Sequence, residues 1–208
     1  ASMSAMKKWA KNTRRNHIIV EHNDDSGSVD EQAYIKKLTS DVRVVSIVHT
    51  SPVTGMTVDL EKITKEVRNV TPDCIIIVYG IQHSSHGAID VQKYDIDGYV
   101  VSPYKMFSRH GYGVAWASER LCTLNKEQLA DGPFQNWELG TRDAGSYATF
   151  SDVVDYLDWL GSNFTESENT RERLEASSLA IRSHEQELVD LVLNGNEDIG
   201  GLRTVSYT

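Results

Sequence analysis

The stretch Cys74-Ile75-Ile76-Ile77-Val78-Tyr79 runs into Gly80-Ile81-Gln82, and further on Gly98-Tyr99-Val100-Val101 runs into Ser102-Pro103-Tyr104-Lys105. Both are short apolar runs rich in β-branched residues and closed by Gly or Pro, the pattern of buried strands. Val42 to His49 has the same character. Strands that lack polar alternation are those covered on both faces, which is the habit of parallel sheets. Between them, Asp59 to Val70 spaces Leu60, Ile63 and Val67 as one helix face, and Pro72 helps stop it. His17 to Glu21 and Tyr112 to Trp116 supply further strand-like runs. Alternating helices and strands predict an α/β fold, a three-layer sandwich with a mostly parallel sheet. Chemistry in such folds gathers on loops that leave the carboxyl ends of strands. Here those are His49 to Gly55, Gly80 to Gly87 and Ser102 to His110.

The flanks complete the organisation. Met6 to Arg15 is basic and helix-like, and Asn23 to Gly27 is a turn cluster. Ser28 is placed to N-cap a helix, with Glu31 completing a capping box. From Tyr147 the texture changes. Phe150, Val153, Val154, Leu157 and Leu160 form one helical stripe. A second long helix is predicted from Thr170 to Leu193, with Leu174, Ile181, Leu188, Leu191 and Val192 as its apolar positions. Leu202 to Tyr207 alternates like a strand. Residues 1–146 thus read as part of one large domain, and 147–208 as connecting helices and the start of a smaller one.

Composition bounds the function. The 208 residues are 39% hydrophobic and 25% charged, with a net charge of −9. That balance argues against a nucleic-acid or anionic-membrane binder, and no apolar run is long enough to span a bilayer. Two cysteines support neither a disulfide framework nor a structural zinc site, and Cys74 sits inside an apolar run as a core residue would. No signal peptide is visible, so a cytoplasmic location is expected. The first residue is Ala1 rather than Met, which leaves a processed or truncated piece of a longer chain as one reading.

Among the polar residues Lys105 stands out, because it follows a buried strand directly. A lysine beside apolar walls loses its proton more easily, as a Schiff-base lysine must. A solvated loop lysine is the commoner reading of composition alone. His83 and His86 have metal-pair spacing but lack an HExxH helix or a carboxylate cluster, so polar loop histidines are expected and no metal site is. His49 at a strand end reads first as a hydrogen-bonded core histidine. Gly111-Tyr112-Gly113 is a hairpin signal, not a dinucleotide fingerprint, and neither a GxSxG elbow nor a P-loop occurs.

The segment from Ile77-Val78-Tyr79-Gly80-Ile81-Gln82-His83 through Val91-Gln92 to Ser102-Pro103-Tyr104-Lys105 resembles the class V pyridoxal-phosphate (PLP) aminotransferase-fold enzymes, in particular the cysteine desulfurase and selenocysteine lyase group. There one strand ends in Asp-x-x-Gln and the next in Ser-x-His-Lys. His49-Thr50-Ser51-Pro52-Val53-Thr54-Gly55 resembles the family's His-x-Ser-Asn-x-x-Gly, and Glu138-Leu139-Gly140-Thr141-Arg142 its Gly-Thr-Pro segment. The resemblance covers nearly the whole chain and implies roles by position. Lys105 would hold PLP covalently and move protons at the α-carbon of an amino-acid substrate. Gln82 would bond the cofactor's phenolic oxygen, Ser102 and Tyr104 would bind its phosphate, and His49 and Tyr79 would also contact the cofactor. Thr141 would reach the phosphate of a neighbouring subunit, which implies a homodimer.

The chain departs from the family at three places. Tyr79 replaces the Asp that pairs with the pyridine nitrogen; an ordinary phenol is neutral at pH 7 and cannot supply that counter-charge. Pro52 replaces an Asn. The segments that carry the family's phosphate-binding turn, carboxylate-binding Arg and desulfurase cysteine have no counterpart among these residues. The alternative is therefore a catalytically silent α/β binding or assembly module derived from the same fold.

Overall fold

The structure is a computed structural model of the 208-residue chain. It describes all residues except 1, 26, 28, 131, 133–136, 138, 142 and 203–208. The elements in order are α1 (Ser2–Asn12), α2 (Glu31–Ile35), β1 (Val44–Val48), α3 (Leu60–Val70), β2 (Ile75–Tyr79), β3 (Gly98–Val101), β4 (Val114–Ala117), α4 (Glu119–Cys122), α5 (Ala144–Gly161) and α6 (Thr170–Asn194). Short 3-10 turns occupy His83–Ser85 and Pro103–Lys105.

The strands form one sheet in the order β1-β2-β3-β4. β1, β2 and β3 are parallel, whereas β4 turns back antiparallel through the Gly111-Tyr112-Gly113 segment. The chain is thus mixed α/β with a parallel-dominated sheet. β2 and β3 are joined without an α-helix. Their crossover, residues 80–97, is a loop holding only the 3-10 turn at His83–Ser85. His17 to Glu21 is not a strand, and Ile18 and Ile19 remain exposed. Among the described residues no neighbour pairs with that run, and a β-branched segment without a ladder partner has no cause to stay extended.

One face of the sheet carries the core. Val45 and Ile47, Ile76 and Val78, and Tyr99 are buried against Leu60, Ile63 and Val67 of α3, with Tyr34, Cys74 and Ile96 closing the cluster. Asp59 caps α3 by accepting from the Lys62 N–H. α2 is capped by Asp30, which accepts from the Ala33 N–H, while the predicted cap Ser28 lies outside the described residues. On the second face Leu121 of α4 reaches over Gly98 and Ile77, but Val44 and Val48 at the β1 edge stay about half exposed. The near-continuous apolar run of β1 therefore alternates in burial within this chain.

α5 and α6 pack along each other as an antiparallel pair. Gly161 is required there, because a Cβ would lie 1.9 Å from the Arg173 carbonyl oxygen. The stripe predicted for α5 faces inward, with Val153 buried. The α6 stripe is uncovered from Leu188 onward, and Leu191 and Val192 are exposed with it. The strand expected at Leu202 to Tyr207 falls almost wholly outside the described residues. The helix pair meets the rest of the chain at the loops beyond the strand ends. Phe107 packs edge-on against Tyr156, Arg109 pairs with Asp143, and Arg171 donates to the Ile89 carbonyl at 3.0 Å.

A buried carboxylate fastens the middle of the sheet. Asp97, 1% exposed, accepts from the Ile76 N–H at 2.8 Å, from Arg68 at 3.0 Å and from Arg120 at 2.6 Å. Burial pushes its pKa up, but the Arg120, Ile76 and Arg68 donors outweigh this and hold it below the usual carboxylate range. Asp97→Ala is expected to destabilise the chain by about 3–5 kcal/mol, because two guanidiniums lose a buried counter-charge. A urea titration measures this. With a depressed folded pKa, the Asp97 contribution is complete above the unfolded carboxylate pKa and is lost as pH falls through the folded one.

Candidate functional site

β2 and β3 end level with each other, because parallel pairing sets Tyr79 beside Val100. Their exit loops leave the same sheet edge. Gln82 lies three residues past β2, and Lys105 closes the turn after β3. The two side chains meet there: Lys105 Nζ donates to Gln82 Oε1 at 2.7 Å. Both are half-buried. Pro103, fully buried, anchors the Lys105 turn.

The remaining predicted residues surround this pair unevenly. Ser102 is half-buried, and its hydroxyl does not cap the turn it precedes. Tyr79 is half-buried at the end of β2. Tyr104 is 40% exposed and its ring stacks on His110, with centroids 4.3 Å apart. Thr141 is exposed, and among the described residues it hydrogen-bonds to none of these side chains. Its neighbours Glu138 and Arg142 lie outside the described residues.

His49 belongs to a buried aromatic cluster at the end of β1. Its Nδ1 lies 2.8 Å from the Tyr99 hydroxyl, and its ring stacks on His83 at 3.5 Å. Tyr99 can approach because residue 80 is glycine; a Cβ there would sit 2.0 Å from the tyrosine ring. His83 is held in turn by the Thr50 hydroxyl at 3.0 Å and the Ala88 carbonyl at 3.3 Å. The Ala88 carbonyl makes Nε2 a donor, and in the neutral ring that burial favours Nδ1 accepts from the Thr50 hydroxyl. Burial, and then the neighbouring His83, push the His49 pKa down to about 3. Burial lowers that of His83 as well.

The histidine pair of the 83–86 loop therefore divides its work. His83 stacks on His49, whereas His86 accepts from Gln82 and bonds to Glu185 of α6. Among the described residues no three metal-ligating side chains come together. His83, His86 and Glu185 were not legible as partners of the strand-end residues. Their contacts join segments up to 99 positions apart, and only the His83–His86 spacing hinted at a shared loop.

The donor set suits a small anionic aldehyde. An amine on a half-buried lysine is held within hydrogen-bond distance of an amide, beside a hydroxyl that caps nothing. Tyr79 offers a phenol, not a carboxylate, at the end of β2.

The chain is 33% identical over 96 residues to a cysteine desulfurase of Wigglesworthia glossinidia brevipalpis, covering 46% of this chain and 23% of that protein. To a probable cysteine desulfurase of Mycobacterium leprae it is 23% identical over 196 residues, covering 87% of this chain and 42% of the other. The crystal structure of the cysteine desulfurase CsdA from Escherichia coli superposes with a TM-score of 0.62 at 21% identity, over 80% of this chain and 43% of that one. The chain thus spans less than half the length of these relatives. Among the described residues no helix is long and apolar enough to cross a membrane.

The neutral, buried His49 makes stability depend on pH. In the unfolded chain its pKa returns to about 6.5, so unfolding takes up a proton below that pH. Its contribution is complete above about pH 6.5 and declines as pH falls toward 3. Urea midpoints should therefore drop across this window, and His49→Asn should flatten the drop.

The aminotransferase class-V profile matches residues 2–177, which hold all four strands, α5 and the first turns of α6, and the chain belongs to the aminotransferase class-V family.

Proposed function

We propose that this chain is part of a PLP-dependent enzyme of the cysteine desulfurase and selenocysteine lyase-like group, acting on an amino acid through Lys105. The observation that carries this reading is the 2.7 Å hydrogen bond between Lys105 and Gln82 at the shared end of two parallel strands. PLP, when bound, supplies an electron sink for reaction at the substrate α-carbon. Lys105 would be its covalent anchor and the base that moves the α-proton. Gln82 would orient the amine through its amide oxygen. Ser102 would give its hydroxyl to the phosphate, with Tyr104 and His49 supporting the loop walls. Thr141 would serve the site of a second copy in a homodimer. Residues 147–208 would lead from the large domain toward a smaller one. Exposed Val44, Val48 and the Leu188 to Val192 face support self-association, because apolar surface of that extent favours a cover.

Tyr79 favours a second reading, a catalytically silent module that keeps the fold. Its phenol occupies a strand end where the family places a carboxylate, and a neutral donor cannot hold a pyridinium proton.

Two experiments separate the readings. Borohydride reduction of the chain with PLP, followed by peptide mapping, should place a pyridoxyl adduct on Lys105 that Lys105→Ala abolishes. Adducts spread over surface lysines such as Lys7 and Lys126, with Lys105 unmodified, would leave only the silent module. Tyr79→Asp should raise PLP retention through gel filtration by about tenfold, the worth of one charge-assisted hydrogen bond. Strong retention and rapid amino-acid turnover by the unmodified protein would contradict the electron-sink argument.

A further inference from the structure

The hydrogen bonds that begin at Lys105 continue past Gln82. Gln82 Nε2 lies 3.0 Å from His86 Nε2, and His86 Nδ1 lies 2.6 Å from Oε1 of Glu185. The path therefore runs from the β3 exit turn, across the β2 exit loop, to the middle of α6. Glu185 and His86 are each 39% exposed at the side chain, while Gln82 and Lys105 are half-buried.

Direction propagates along this path. A carboxylate only accepts, so Glu185 requires a hydrogen on His86 Nδ1. In a neutral imidazole the other nitrogen is then an acceptor. His86 Nε2 must face a donor, which is the Gln82 amide nitrogen. The Gln82 oxygen is left pointing the other way, where Lys105 Nζ donates to it. Without Glu185, the imidazole hydrogen is free to move to Nε2. That nitrogen would donate to the Gln82 oxygen, the amide would turn over, and Lys105 Nζ would face an NH2 in place of the acceptor oxygen it now donates to.

We infer that Glu185 is a positioning residue for Lys105: by setting the His86 tautomer it sets which side of the Gln82 amide faces the lysine. The inference rests on the reading of Lys105 as the reacting amine. The charged and titratable neighbours divide by element. The 83–86 loop also brings His83, which is occupied by Thr50 and Ala88, and α6 also brings Arg182, whose charge acts on His83. Neither takes a place in the path. The orientation of the amine at the strand ends thereby depends on the seating of α6, a helix whose own apolar packing is against α5.

Nitrogen NMR of the 15N-labelled chain tests this without any cofactor. Long-range proton–nitrogen correlation of the imidazoles, assigned with His86→Phe, should show His86 with hydrogen on Nδ1. Glu185→Gln retains an acceptor oxygen and should keep that tautomer, together with unmoved Gln82 side-chain amide and Lys105 ε-CH2 signals. Glu185→Ala should lose the Nδ1-protonated form and displace both of those signals. Gln82→Leu should move the Lys105 signal and leave the His86 tautomer as it was, because the setting comes from α6. A His86 tautomer unchanged in Glu185→Ala, or changed with Gln82 and Lys105 unmoved, overturns the inference. The borohydride result is independent of these signals. A labelled Lys105 with an insensitive His86 sinks the positioning role alone, while an intact relay beside an unlabelled Lys105 sinks the Schiff-base reading and, with it, the role of Glu185 as positioning a reacting amine.

Discussion

Parallel pairing of β2 with β3 is the constraint from which the site follows. The register Ile77 to Gly98, Val78 to Tyr99 and Tyr79 to Val100 makes both strands finish at one edge. Residues 23 positions apart in sequence then become hydrogen-bonded neighbours. Asp97 holds that register from the other end. One carboxylate binds the Ile76 amide near the start of β2, while its own residue leads into β3, and Arg68 and Arg120 make its burial tolerable. A charge this deep is retained only with such partners. The same group therefore serves stability at one end of the strands and geometry at the other.

The strand ends separate two polar environments. Around His49, burial removes charge. Two stacked imidazoles cannot both be protonated 3.5 Å apart in an apolar setting. Around Lys105, part of the path remains open to water, and polarity is managed by direction rather than by exclusion. The division is made by Gly80, where the absence of a side chain lets the Tyr99 ring close over the sheet edge.

Surface left uncovered also has a physical reading. α3 covers one face of the sheet, whereas Val44 and Val48 on the other stay about half exposed, as does the end of the α6 stripe. The chain spans less than half the length of the relatives it matches, and among the described residues these apolar positions have no cover.

The elements themselves were legible in the residues. Apolar periodicity located β1, β2, β3, α3, α5 and α6, since burial selects side chains at spacings set by backbone geometry alone. The strand-loop-lysine unit marked Lys105 and Gln82, because both stand at fixed offsets from strands that local pattern defines. The His17 to Glu21 run misled, since a ladder needs a partner that local pattern does not supply. The Asp97 pairing with Arg68 and Arg120, the His49–His83 stack and the reach of Glu185 to His86 were decided only by the tertiary structure. Each depends on residues 21 to 99 positions apart being brought within a few ångströms, and no one-dimensional spacing encodes the crossover that brings them there.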